Sequence, residues 1–79
     1  MNEKELIEKD IRIAKANLSR TIKARDKASA ARMSLSPGSS RARVTTANAR
    51  LNIYCEAVDR YEKQIAELYH RLVNLKVWD

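Results

Sequence analysis

The chain lacks most of what small domains use as staples. It has a single cysteine, Cys55, so no internal disulfide can form. A lone cysteine also fits a reducing compartment. One histidine and one cysteine cannot complete a zinc site within one chain. Glycine and proline occur once each and side by side, at Pro37-Gly38, so there is one place for the chain to turn. No apolar run approaches the ~20 residues that span a bilayer. Met1-Asn2-Glu3-Lys4-Glu5 has neither the basic start nor the apolar stretch of a secretion signal. These absences predict a cytoplasmic protein with no membrane partner. No glycine-rich phosphate loop, metal-ligand spacing or nucleophile–base pair is present, so an enzyme is not expected, and no cofactor is implied.

One sign of charge is nearly missing from the middle of the chain. Residues 12–50 hold ten Lys/Arg against one acid, Asp26, while the whole chain carries net +6. A segregated basic field attracts phosphates, acidic proteins or anionic surfaces.

What is abundant is alanine, leucine and long charged residues, a helix-forming composition. From Val44, apolar residues recur in steps of three and four: Ala47, Leu51, Tyr54, Val58, Tyr61, Ile65, Leu68, Leu72 and Leu75. A strand would alternate instead. This spacing of 3.5 is the signature of a long helix laid along a partner. About 32 residues at ~1.5 Å each make a rod of roughly 48 Å.

Residues 3–35 predict the first helix, with Leu6, Ile7, Ile11, Ala14, Leu18 and Ile22 as its apolar stripe. Glu5–Lys9 and Glu8–Arg12 suit i,i+4 pairing. After Ile22 the stripe changes to Ala24, Ala28 and Ala31, and the heptad continued from Ile11 and Leu18 lands on Arg25 and Arg32. Arginine there either finds a carboxylate or phosphate, or runs along the helix to water. Residues 36–39 form the turn. Proline presets φ, Gly38 tolerates positive φ, and Ser39 or Ser40 can cap the second helix, expected over 40–77. The fold class is therefore all-α, a single domain over residues 1–79: an antiparallel two-helix hairpin with coiled-coil-like packing.

Folding about Pro37-Gly38 sets Ile11 near Ile65, Leu18 near Val58, Ala28 near Ala47 or Asn48, and Arg25 near Leu51. Bulky meets bulky at the open end but not near the turn. A core in a chain of this size seldom supplies more than ~3–5 kcal/mol. The hairpin is thus expected to assemble into a homo-oligomeric helical bundle, with Val44, Leu51, Tyr54 and Tyr61 at the interface. Ile53, Cys55, Ala57, Tyr69, Val73, Val77 and Trp78 widen the seam. Cys55 reads as a small buried residue, and His70 as an ordinary surface or interface side chain.

The start of the second helix holds the candidate site. Arg41, Thr45 and Asn48 share one face; Arg43, Thr46 and Arg50 share another. Arginine forks beside short hydroxyl and amide groups suit an oxyanion, and a helix N-terminus adds free N–H groups. Threonine and asparagine are weak helix formers, so the segment breaks a local rule, as sites tend to do. An Arg/Ser/Thr-rich first turn is equally a capped helix start. With Arg25 and Arg32 closing from the first helix, these residues predict an intersubunit pocket for a phosphate-bearing ligand. A nucleic acid held through its phosphates, or an acidic protein docked by the hairpin as an adaptor or inhibitor, are the other partners such a surface suits. The lack of aromatics in the basic region counts against single-strand stacking.

The segment Leu35 to Leu51, with Pro37-Gly38-Ser39-Ser40-Arg41-Ala42-Arg43-Val44-Thr45-Thr46-Ala47-Asn48-Ala49-Arg50, resembles a turn-and-helix segment of small helical proteins encoded by phages and prophages. It covers about a fifth of the chain. The resemblance implies a phage accessory protein working in a host cytoplasm, and it transfers no site residue. Small oligomeric counter-defence proteins of that kind sequester nucleotide signals made by the host, a role a basic, hydroxyl-rich pocket would suit by analogy.

Overall fold

A computed structural model describes residues 2–78, apart from the side chains of Lys76, Val77 and Trp78. Two helices, α1 (Glu3–Met33) and α2 (Arg41–Trp78), pack against each other as a hairpin 62 × 15 × 14 Å in extent. Among the described residues there is no strand. No helix is long and apolar enough to cross a membrane.

Each helix end has a local cause. Asn2 caps α1: its side-chain oxygen accepts from the Glu5 backbone N–H at 2.8 Å. Asparagine followed three residues later by glutamate is a helix-start pattern the sequence reading did not use. α1 stops at Met33, two residues earlier than expected. The Ser34 hydroxyl donates to the Ala31 carbonyl at 2.9 Å, taking up an acceptor that the end of the helix leaves open. Ser39 N–H then donates to the Ser36 carbonyl at 3.0 Å, closing a β-turn over Pro37-Gly38. Gly38 does not adopt positive φ. That excludes the type II geometry, and a Cβ there would meet nothing within 4 Å, so neither the turn nor a close approach requires glycine at this position. Ser40 is the cap of α2, accepting from Arg43 N–H at 3.3 Å.

All ten seam positions of α2 are buried or half-buried, and of its other described side chains only Ala57 is not exposed. The 3.5-residue spacing therefore maps directly onto contact with α1. On α1, Ile7, Ile11 and Ala14 are buried and join Leu68 in the main cluster, with Ile65, Leu72 and Leu75 packed against it. Leu6 departs from expectation. It is 47% exposed, because Ile7 takes the inward position one helical step away.

Three other expectations are corrected. Cys55 is exposed, since the step from Tyr54 carries it past the cover of α1. Glu5–Lys9 and Glu8–Arg12 are not ion pairs among the described residues; Glu8 instead lies 4.0 Å from Lys4. Such exposed pairs are worth too little to fix one arrangement over another. Of the residues expected to widen the seam, Ala57 is half-buried while Ile53, Tyr69 and Val73 are exposed. The side chains of Val77 and Trp78 lie outside the described residues.

Candidate functional site

The bend end is where the alanines, arginines and threonines meet. Ala24, Ala28 and Ala31 come down α1 at helical spacing; Ala47, Arg50 and Tyr54 come up α2 to face them. Because the alanines stop short, the helices leave a groove of about 320 Å³ between them, with Lys27 and Arg50 on its sides. Arg50 is shared with two neighbouring hollows. One is lined by Leu35, Ala42, Arg43, Thr46 and Ala47, the other by Thr46, Ala49, Ile53 and Tyr54. No acid lines any of the three.

The eight residues expected to bind a ligand are thereby divided. Arg43, Thr46 and Arg50 share one flank. Arg41, Thr45, Asn48, Arg25 and Arg32 line none of these three hollows. Two of them hold each other: the Arg32 guanidinium donates through Nε to the Asn48 side-chain oxygen at 2.6 Å, bridging α1 and α2. Arg25 lies 3.4 Å from the carboxylate of its neighbour Asp26. So the arginines at heptad positions, both half-buried, find polar partners within the hairpin. The Arg32 head meets the Asn48 amide on the other helix, and the Arg25 head meets the carboxylate beside it on its own. Arg41 and Thr45 are exposed.

Lys27 is the groove residue that the sequence reading passed over. Its signal was present: Ala24, Lys27, Ala28 and Ala31 are spaced three, four and seven apart, so they share a face. Of the four residues expected at an oligomer interface, Val44, Leu51, Tyr54 and Tyr61 are all half-buried, covered in part by α1.

Chemically, the flank offers two guanidinium forks, an ammonium and a hydroxyl beside an apolar floor. That set can hold an anion with an apolar or aromatic body. His70 is exposed at the far end, beside Glu67 and Arg71. Among the described residues no group of three or more His, Cys, Asp or Glu could hold a metal ion. No protein-family model matches the chain, and no curated protein or solved structure is detectably similar to it.

Proposed function

We propose that the protein is a non-enzymatic binding protein, assembled from copies of this hairpin, that holds a phosphate-bearing small ligand such as a nucleotide on the Arg43/Thr46/Arg50 flank. The observation that carries this reading is the placement of Arg50 in three contiguous hollows with Arg43, Thr46 and Lys27 around it and no acid among the lining residues. An arginine that can turn between adjoining hollows presents a bidentate fork to a phosphate. Leu35, Ala42 and Ala47, in the hollow beside Arg43, accept the apolar face of a base. The net basic middle of the chain would draw the anion in. Sequestration of a host nucleotide signal, as in phage counter-defence, is the setting that the resemblance of residues 35–51 suggests.

Calorimetry with a panel of cyclic and linear nucleotides tests this. At least one should bind, with affinity reduced ~10-fold or more by Arg50→Ala, a loss of about 1.4 kcal/mol. Arg41→Ala, outside the three hollows, should change it little. Silence from the whole panel would end the small-ligand reading. A duplex DNA or RNA that shifts in a gel, with affinity falling steeply as salt rises, would replace it with phosphate-backbone binding.

A further inference from the structure

α1 carries two seams. The inner one faces α2. The second runs along the flank that holds the alanine groove: Leu6, Asp10, Ile13, Asn17, Arg20, Ala24, Lys27 and Ala31. Its members alternate steps of four and three, the spacing of a coiled-coil contact. α2 leaves it largely uncovered. Leu6 is 47% and Ile13 50% exposed, and Asp10, Arg20, Lys27 and Ala31 are exposed as well.

The second seam is complementary to its own reverse. Turned end for end about its midpoint, it sets Leu6 against Ala31, Asp10 against Lys27, Ile13 against Ala24 and Asn17 against Arg20. Large apolar meets small apolar, acid meets base, and amide meets guanidinium. A two-fold contact between identical chains makes each of these pairings twice. Bulk and charge match at all four pairs in this register; slipped by one heptad, Leu6 still meets Ala24 and Asp10 meets Arg20, but Ile13 is set against Asn17. Run parallel and in register, the same stripe would set Asp10 on Asp10 and Lys27 on Lys27.

We propose that a second copy of this chain docks on this flank, α1 against α1 and antiparallel. Leu6 and Ile13 of each copy sit over the Ala24/Ala28/Ala31 groove of the other, and Asp10 pairs with Lys27 across the contact. The surface available is ample. The hairpin exposes 6317 Å², whereas a compact monomer of this mass exposes roughly 4,900 Å². The excess of about 1,400 Å² exceeds the ~800 Å² per partner of a standard interface. In this register Asn2 to Leu6 of one copy lie level with Ala31 to Leu35 of the other. The second copy thus walls the hollow lined by Leu35, Arg43, Thr46 and Arg50. The inference rests on the proposed self-assembly; it fills the alanine groove with Leu6 and Ile13 and leaves a ligand the hollow lined by Leu35, Ala42, Arg43, Thr46, Ala47 and Arg50.

Charge reversal tests the register, with sedimentation as the readout and circular dichroism as the check on folding. Asp10→Lys alone and Lys27→Asp alone should each weaken the dimer by about tenfold or more, since each replaces two opposite-charge pairs with like-charge ones. An equimolar mixture of the two variants, and the double variant Asp10→Lys/Lys27→Asp, should recover the wild-type affinity. On a Cys55→Ser background, Ile13→Cys/Ala24→Cys should form covalent dimers on mild oxidation. Those positions lie about 16 Å apart along one helix, too far for an internal bridge. A dimer indifferent to both charge reversals, or one that does not cross-link, overturns this register and leaves the self-assembly reading standing. Single chains at every concentration tested overturn both, and nucleotide binding is scored separately by calorimetry.

Discussion

The two halves of the hairpin use one seam for different ends. At the open end, Ile7, Ile11 and Ala14 bury against Leu68, with Ile65, Leu72 and Leu75 closing around them. Toward the bend, only Ala28 and Val58 are buried, and two of α1's inward positions belong to Arg25 and Arg32. The spacing is the same; the side-chain volume is not. Where both helices supply branched aliphatic residues, the seam is filled by carbon. Where one supplies alanine and arginine, the seam is narrow, polar at its edges and flanked by hollows. Stability is thus concentrated at the end away from the basic surface, which leaves the bend half free to present arginines, threonine and lysine.

The sharpest way to break this contrast is to truncate one seam leucine in each half. Leu68→Ala should cost about 2–4 kcal/mol in urea unfolding, because it opens a cavity in the filled end. Leu51→Ala, at a half-buried position, should cost less than half as much in the single hairpin. Equal losses would mean that the bend half is as well packed as the open half. If copies associate on the alanine flank, the gap should not depend on concentration for Leu68 but should for substitutions at Ile13.

A smaller effect concerns the polar bridge that stands in for carbon near the bend. A double-mutant cycle on Arg32→Ala and Asn48→Ala should return a coupling of about 1 kcal/mol or less, since their hydrogen bond faces solvent. A coupling near zero would show that apolar contacts and the turn hold the bend helices without help from this bridge. The smallest expected change has the opposite sign. A methyl group at Gly38 would meet nothing within 4 Å, and the residue does not need positive φ. Gly38→Ala should therefore raise stability by about 0.4–1 kcal/mol, through the unfolded chain's lost freedom, without changing the open end. A loss instead would place the turn in the left-handed geometry.

Much of the fold was legible because a two-helix hairpin repeats one rule. Among the described residues, the ten from Val44 to Leu75 name every inward position of α2 except Ala57, and one Pro-Gly pair marks the turn. The misses come where a single helical step decides between inside and outside. Leu6 and Ile7 are both apolar, and only the position of α2 says which is covered. Cys55 follows Tyr54, and a residue type that is usually buried lands in water. The candidate site was half legible for the same reason. The two polar faces of residues 41–50 could be drawn on a wheel, but not which of them would look across at Ala24, Lys27 and Ala31. That Asn48 accepts a hydrogen bond from Arg32 depends on the same packing.

By itself, the order of residues determined that this chain forms two long helices, where they turn, and which stripe of α2 meets α1, because those depend on local propensity and a period that needs no partner to be read. Only the packed hairpin decided which flank is open. Arg43, Thr46 and Arg50 fall beside an alanine groove, while Arg32 and Asn48 close on each other. That choice depends on how the two rods rotate against one another, and the rotation is set by the combined volume of side chains far apart in sequence.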